Sequence, residues 1–302
     1  MRLNPPSTEA ASVIMFISAS LWGLYWMPLR YLEDLGMDGS WSVALLNVPA
    51  AIALLGLAAW QWGRHRPFVQ KAILIGFFTG AGLALYGVSL VHSSVVRATL
   101  LFYLTPVWST LIGVIWLCER ATWQRWAAIA AGLTGLLLMM SGGGSVPLNI
   151  GDAFAILSGM FWAVGASLIV RHSDVPVPGM VAVQFVFTAL IAILLGVATA
   201  TASWMPPPMP LLIEAGPTLL GISIILFLPA VCVIFWVQKF LFPGRAGLLM
   251  MSEALMAVVS ASLLLPEEQM SLVAWIGAAM IVSACLIEVL LAPQQAPKTN
   301  PA

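Results

Sequence analysis

One acidic residue stands inside a long apolar stretch, and its side chain is the first candidate for chemistry. The stretch "GLLMMSEALMAVVSASLLL", residues 247–265, holds Glu253 and no other charged residue. If the segment enters a bilayer near residue 245, Glu253 lies about 12 Å deep at about 1.5 Å per helical residue. A charge at that depth costs on the order of 3 kcal/mol, and such residues usually face a cavity or a partner. Two interpretations stay open: a carboxyl that contacts a substrate or exchanges a coupling proton, and a hydrogen-bonded carboxyl that joins two helices.

Polar and aromatic residues in other apolar runs are further candidates for binding a substrate. Asn47 and Gln184 occupy similar depths in two different runs, and their amides can grip a polar group or bond across helices. Aromatic rings within the runs suit either core packing or the wall of a cavity for an amphipathic compound. These aromatic candidates are Trp22, Tyr25, Tyr86, Tyr103 and Trp162.

Prolines and glycines inside apolar runs predict where helices bend or approach each other. Pro106, Pro229 and Pro49 lie within runs, and proline removes a backbone hydrogen bond and kinks a helix. We treat Pro106 and Pro229 as candidate hinges, although a kink can equally be a static packing feature. The glycines of "GFFTG", residues 76–80, have the spacing of a close helix–helix contact.

Charged residues near the ends of the runs have simpler explanations. We expect Glu119 to have a role in a solvated loop or in the structure of the repeat. We expect Arg97 to lie in solvent at the end of a span, with a positively charged outer vestibule as the alternative. Asp152 opens an apolar run, where a negative charge favours the N-terminus of a helix.

The composition predicts an integral membrane protein. The chain is 61% hydrophobic and 8% charged, whereas a soluble domain is about 25% charged. So few charges cannot cover a globule with solvated surface. The formal net charge of zero argues against a nucleic-acid partner. The three cysteines are scattered, which predicts buried free thiols rather than a disulfide framework, and we expect neither a metal site nor a cofactor.

Ten apolar runs are long enough to cross a bilayer as helices, so the predicted fold is all-α with ten transmembrane helices. Of the twelve Lys and Arg residues, all but Arg30 and Arg97 fall on the side that holds the N-terminus. The positive-inside rule therefore places both termini in the cytoplasm. The runs span roughly 11–30, 41–62, 72–91, 96–117, 123–141, 151–170, 179–201, 211–237, 245–265 and 270–291.

The two halves of the chain resemble each other. "RATLL" begins at Arg97 and "RAGLL" at Arg245, and each arginine is followed 22 residues later by a glutamate, Glu119 and Glu267. "LWGLYWMPLR" (21–30) likewise parallels "FWAVGASLIVR" (161–171), which matches Trp22 with Trp162. Five helices per half is an odd number, so the second repeat must be inverted in the membrane. We predict repeats at 1–145 and 146–302, an arrangement of secondary transporters whose substrate sites lie near the midplane.

Several motifs resemble those of the ten-helix EamA-type members of the drug/metabolite transporter superfamily. They are "SASLWGLYWMPLR", "LLFYLTPVWSTLIGVIWLCERATWQRWAAIAAGLTGLLLM" and "LLMMSEALMAVVSASLLLPEEQMSLVAWIGAAMIVSACLIE". The resemblance covers roughly 10–141 and 151–291, and implies alternating-access transport of small organic solutes, often outward. Two positions depart from the family pattern. Asn47 stands where members commonly have arginine, and Ala254 follows Glu253 where Glu-Pro is common.

We therefore expect a secondary transporter in a bacterial inner membrane, acting as a monomer or a homodimer. It would export amino-acid-like or amphipathic, aromatic metabolites, with protons as the coupling ion and Glu253 as the coupling residue. An uncoupled facilitator of the same fold is the alternative. An intramembrane enzyme is a remote one, because His65, His92 and His172 lie outside the spans and the chain has neither HExxH nor GxSxG.

Overall fold

The structure is a computed structural model that describes residues 6–93, 95–120, 122–140, 149–199, 205–264 and 271–291. Across these ranges the secondary structure is helical, without a strand. The first half contains α1 Thr8–Trp22, α2 Trp26–Asp34, α3 Gly39–Trp60, α4 Trp62–His65, α5 Val69–His92, α6 Val95–Phe102, α7 Thr105–Leu117 and α8 Trp123–Met140. The second half contains α9 Ile150–Arg171, α10 Val177–Thr199, α11 Met209–Gly221, a π-helical segment Ile222–Phe227, α12 Leu228–Gln238, α13 Pro243–Leu264 and α14 Leu272–Leu290.

Many of these helices are long and apolar enough to cross a membrane. Within the described ranges, seven helical segments meet that standard, and two shorter apolar helices lie at Thr105–Leu117 and Leu272–Ile287. The seven are Thr8–Asp34, Gly39–Trp60, Trp62–His92, Ile150–Arg171, Val177–Thr199, Met209–Gln238 and Pro243–Leu264. The prediction of an all-α, multi-pass membrane protein is thereby confirmed. The count of ten spans and the side of each terminus stay predictions.

The first predicted span is interrupted near its middle. α1 ends at Trp22, residues 23–25 form a turn, and α2 begins at Trp26. Pro28 explains the interruption, because it has no N–H to donate to the carbonyl of Leu24. The turn satisfies its own backbone instead, with the Tyr25 N–H donating to the Trp22 carbonyl at 2.9 Å. The sequence analysis missed this break.

The fourth predicted span is interrupted next to Pro106. α6 ends at Phe102 and α7 begins at Thr105. Pro106 cannot donate to the Phe102 carbonyl, which accepts a hydrogen bond from the Thr105 hydroxyl instead. The interruption predicted at Pro106 is confirmed, and its role as a moving hinge stays a prediction.

The eighth predicted span loses its regular α-helical geometry ahead of Pro229. The π-helical segment Ile222–Phe227 lies between α11 and α12, and Pro229 occupies the first turn of α12. Pro49, by contrast, leaves α3 continuous. Beside it, the Ala50 N–H donates to the Ser223 hydroxyl in the π-helical segment at 2.9 Å. α13 runs unbroken through Ala254, as expected where proline does not follow Glu253.

Glycines let α5 approach α9 and α10 closely. A Cβ on Gly80 would lie 2.7 Å from the Gln184 carbonyl oxygen, and one on Gly165 would lie 3.0 Å from the Thr79 amide nitrogen. Gly76 is equally restricted, since a Cβ there would lie 2.8 Å from the Gln184 amide nitrogen. The expectation that residues 76–80 form a helix-packing face is confirmed.

Two arginines at matching sequence positions bind the starts of two different helices. Arg97 forms an ion pair of 2.8 Å with Asp152 in the first turn of α9, where Asp152 and Asn149 form a capping box. Arg245 donates from Nε to the Ser12 hydroxyl in the first turns of α1 at 3.0 Å. The capping role expected for Asp152 is confirmed, whereas the expectation of a solvated Arg97 is wrong because this ion pair holds its guanidinium.

Glu119 is buried, contrary to the expectation of a solvated loop. Its side chain is 1% exposed and pairs with Arg125 of α8. α13 closes over the pair, since a Cβ on Gly244 would lie 2.8 Å from the Thr110 hydroxyl oxygen and 3.3 Å from a Glu119 carboxylate oxygen. The ion pair thus joins α7, α8 and α13. Glu267, its counterpart in the predicted second repeat, lies outside the described residues.

We predict that Glu119→Ala lowers stability strongly, by about 3–5 kcal/mol, because it leaves the Arg125 guanidinium buried without its carboxylate. Thermal unfolding of the purified protein in detergent measures the effect. Lys71→Ala is the control, since its pair with Asp174 is about 40% exposed on both sides and such pairs contribute about 0–1 kcal/mol. Equal losses in the two variants would contradict the prediction.

We also predict that Gly23→Ala destabilises the packing of α1 against α13. A Cβ on Gly23 would lie 2.8 Å from the Met256 Cβ and 3.0 Å from the Ala257 amide nitrogen, so a helix backbone must move. Overpacking of this kind costs about 1–3 kcal/mol.

The matched control for that variant is Gly56→Ala in α3, where a Cβ would meet nothing within 4 Å. It should be neutral or stabilising by up to about 1 kcal/mol, the helix-propensity difference between glycine and alanine. Unfolding temperatures of the two variants test the pair, and a stable Gly23→Ala protein would refute the close approach.

Candidate functional site

Glu253 lies at a small cavity enclosed by the helices. The residue is 2% exposed and sits near the middle of α13. The space that a water-sized sphere can enter is about 10 Å³, so the walls of the cavity lie close together in this conformation. Its wall draws on six spans and consists of Trp22, Leu83, Phe102, Trp162, Val231, Ile234, Met250 and Glu253.

Two tyrosine hydroxyls flank the Glu253 carboxyl. They belong to Tyr103 and Tyr86. The Tyr103 hydroxyl also donates to the Met250 carbonyl at 2.7 Å, and the Tyr86 hydroxyl is 3.0 Å from that of Thr99. A tyrosine hydroxyl can donate to a carboxylate or accept from a carboxylic acid. Because its proton is used in the bond to the Met250 carbonyl, the Tyr103 hydroxyl can only accept from a protonated Glu253, whereas the Tyr86 hydroxyl can also donate to a carboxylate if Thr99 donates to Tyr86.

Aromatic rings form much of the wall around the carboxyl. Trp22 stacks on Tyr25 with ring centroids 5.2 Å apart, and Phe227 contacts both rings at 4.8 and 5.2 Å. On other sides, Trp162 meets Phe235 at 6.1 Å and Tyr86 meets Phe102 at 4.7 Å. The cavity therefore offers ring faces and edges beside one ionisable group.

The helix interruptions bring these aromatic residues to the cavity. Trp22 is the last residue of α1, Phe102 the last of α6, and Phe227 the last of the π-helical segment. Tyr25 and Tyr103 lie in the turns that follow two of these ends. Two irregular stretches of backbone thus border the Glu253 cavity, and the π-helical segment packs Phe227 against Trp22 and Tyr25.

Most of the candidates from the sequence meet at this site. Trp22, Trp162 and Glu253 line the cavity, Tyr86 and Tyr103 approach the carboxyl, and Tyr25 stacks behind Trp22.

The two amide candidates, Asn47 and Gln184, do not line the cavity. The Asn47 side chain donates to the Val43 carbonyl of its own helix at 2.7 Å, and Gln184 donates to the Thr188 hydroxyl at 2.7 Å. Thr188 in turn bonds the Gly80 carbonyl at 3.2 Å, so Gln184 belongs to the α5–α10 contact. These bonds favour the structural interpretation of both amides.

The sequence analysis did not single out Phe102, Phe227 or Met250. For Phe102 and Phe227, the position ahead of a proline in the sequence could have indicated a place in the site. Phe102 precedes Tyr103 and lies four residues before Pro106, and Phe227 lies two residues before Pro229. Aromatic residues just ahead of a helix-interrupting proline are therefore useful candidates in such a chain. Met250, one helical turn before Glu253, reads as ordinary packing in the sequence.

Two known proteins that are similar to this chain are named as an exporter and an uptake transporter. A "Probable terminal-alkyne amino-acid exporter" of Streptantibioticus cattleyicolor is 26% identical over 54% of this chain and 60% of its own length. "Protein RarD" of Streptomyces exfoliatus is 28% identical over 44% of each chain. An "S-adenosylmethionine uptake transporter" of Rickettsia bellii is 25% identical over 48% of this chain and 47% of its own. The aligned part thus spans about half the length of these relatives.

The fold also matches a solved crystal structure. The TM-score is 0.71 at 17% identity, over 93% of this chain and 97% of that one, so the likeness concerns the fold alone. The model of the EamA-like transporter family matches residues 10–141 and again residues 149–290. These two matches together cover nearly the whole chain and agree with the resemblance noted in the sequence. The chain therefore belongs to the EamA-like transporter family.

Proposed function

We propose that this protein is a secondary transporter that moves small organic metabolites through the Glu253 cavity by alternating access. The observation that carries the proposal is a carboxyl buried near the middle of a membrane helix, in a closed cavity built from interrupted helices. Buried ionisable residues at that depth mark transport pathways. Discontinuous helices at the midplane form the substrate sites of many secondary transporters.

The proposed architecture is ten spans in two inverted repeats, 1–145 and 146–302, with both termini in the cytoplasm of a bacterial cell. The family model's separate matches to the two halves support it. So do the two arginine contacts. Asp152 and Ser12 are 140 positions apart, the same offset as Trp162 and Trp22, and each bonds the arginine of "RATLL" or "RAGLL".

In the proposed movement, α1 and α12 move apart and open the cavity on the side where they meet. Its counterpart, the contact of α5 with α9, is closed by backbone, since a Cβ on Gly82 would lie 3.1 Å from the Trp162 amide nitrogen. The α1–α12 side is closed by the rings of Trp22, Tyr25 and Phe227. Side chains can change rotamer without moving a helix, so this side requires less rearrangement to open. Pro229 and the π-helical segment next to it are the proposed hinge on this side, and Pro106 in the α6–α7 interruption is the second.

We propose Glu253 as the group that couples transport to protons. Its carboxyl lies beside the Tyr103 hydroxyl, which can accept from the protonated form, and the Tyr86 hydroxyl, which can also donate to the ionised form. Binding and release of one proton would then accompany the change of access. The direction we propose is export, as named for the Streptantibioticus relative, while the Rickettsia relative is named for uptake.

We predict that Glu253→Gln abolishes accumulation of substrate driven by a pH gradient, because glutamine cannot exchange a proton. The protein should still fold and insert, since the amide keeps the shape of the carboxyl and bonds to the same hydroxyls. Proteoliposomes with an imposed pH gradient, tested with a panel of amino acids and amphipathic compounds, measure the loss.

Glu33→Gln provides the matched control, because Glu33 is 57% exposed in its pair with Arg30. Unchanged gradient-driven uptake in the Glu253 variant would remove Glu253 from coupling. Equilibration without accumulation by the native protein would identify an uncoupled facilitator instead.

A further inference from the structure

We propose that the Glu253 cavity selects compounds that have a protonated amine and no carboxylate. This inference rests on the proposed transport function and narrows its substrate class. It sets amines apart from the amino acids that they resemble.

The described cavity wall can carry negative charge but no positive charge. Among its eight lining residues, Glu253 is the one that can ionise, and the other seven have apolar side chains or indole rings. The flanking hydroxyls of Tyr86 and Tyr103 add no positive charge. A substrate carboxylate placed here would approach Glu253 in a low-dielectric site with no cation on the described wall to balance it, which is costly.

The arginines nearest along the lining helices are directed elsewhere. Arg97 lies five residues before Phe102, but its guanidinium pairs with Asp152 at 2.8 Å. Arg245 lies two turns before Glu253, and its Nε donates to Ser12 at 3.0 Å. Both contacts link helices at the starts of α9 and α1, away from the cavity wall. Neither arginine is among the residues that line the cavity.

A protonated amine finds complementary groups in the same space. The Glu253 carboxylate supplies a charge-assisted hydrogen bond. The rings of Trp22, Trp162 and Phe102 supply faces that attract cations, and the attraction strengthens where water is excluded. An apolar or aromatic body attached to the amine would pack against Leu83, Val231, Ile234 and Met250.

The size of the cavity limits the body of the substrate. A water-sized sphere can enter only about 10 Å³ of it, far less than the space of an occupied small-molecule site. The walls must therefore separate to admit a ligand, which the irregular backbone around Trp22, Phe102 and Phe227 permits. A single-ring amine is therefore the appropriate probe.

The test compares three compounds with one scaffold: phenethylamine, phenylalanine and 3-phenylpropionic acid. Binding to the purified full-length protein in detergent is followed by tryptophan fluorescence excited at a wavelength that the probes do not absorb, and by thermal shift. We expect phenethylamine to bind at least about tenfold more tightly than phenylalanine, and the acid to bind least. Each lost complementary charge of this kind accounts for a factor of about ten or more.

Variants test whether the Glu253 carboxylate causes the preference for the amine over the acid. Glu253→Gln should reduce the preference for the amine over the acid to within about twofold, whereas Glu253→Asp, which keeps the charge, should retain it. Glu33→Gln controls for the loss of an acidic group elsewhere. Trp22→Leu should weaken binding of the amine more than binding of the acid. If the Glu253→Gln variant does not fold, Glu253→Asp still tests the inference. Loss of the preference for the amine in Glu253→Asp would overturn it.

The inference is overturned if phenylalanine or the acid binds as tightly as the amine, if the amine does not bind, or if Glu253→Gln leaves the preference unchanged. These results leave the transporter proposal standing. That proposal fails separately, if proteoliposomes with the native protein neither accumulate nor equilibrate any solute of the screening panel.

Discussion

Keeping the Glu253 carboxyl inside the membrane is the constraint on which the surrounding structure depends. A carboxyl at that depth loses its hydration, and an isolated charge there costs several kcal/mol. Tyr86 and Tyr103 offset part of that cost by presenting hydroxyls from two other spans. The hydroxyls are themselves fixed, one on the Met250 carbonyl and the other beside Thr99. The acidic group thereby specifies how α5, the α6–α7 turn and α13 fit together.

The cavity beside that carboxyl depends on imperfect helices. In a bilayer each freed backbone group needs a partner, so a helix can be interrupted only where protein atoms replace its lost bonds. Two of the replacements are local: the Tyr25 N–H bonds the Trp22 carbonyl, and the Thr105 hydroxyl bonds the Phe102 carbonyl. In the π-helical segment, the Ser223 hydroxyl accepts from the Ala50 N–H of α3. The first two interruptions place Trp22 and Phe102 in the wall of the Glu253 cavity.

The sequence predicts the scaffold better than the contacts inside it. Apolar runs locate the helices, and the isolated charge of Glu253 marks the centre of the site, because both signals lie within one segment. Glu119 was misjudged because its burial depends on Arg125 and on α13 closing over the pair. Asn47 has the composition of a binding residue, and the choice of Val43 as its partner depends on helix geometry. A π-helical segment likewise leaves no periodicity in the sequence that separates it from an α-helix.

The two halves differ where their chemistry matters most. Thr105 and Glu253 are 148 positions apart, the same offset as Arg97 and Arg245, so they are equivalent in the proposed repeats. Thr105 bonds the carbonyl of its own helix end, whereas Glu253 faces the cavity. A carboxyl at both positions would place two like charges around one small cavity, and each would oppose ionisation of the other. A single carboxyl avoids that repulsion. The repeats can therefore share the backbone arrangement that alternating access requires while one half alone supplies the charge that a substrate or proton meets.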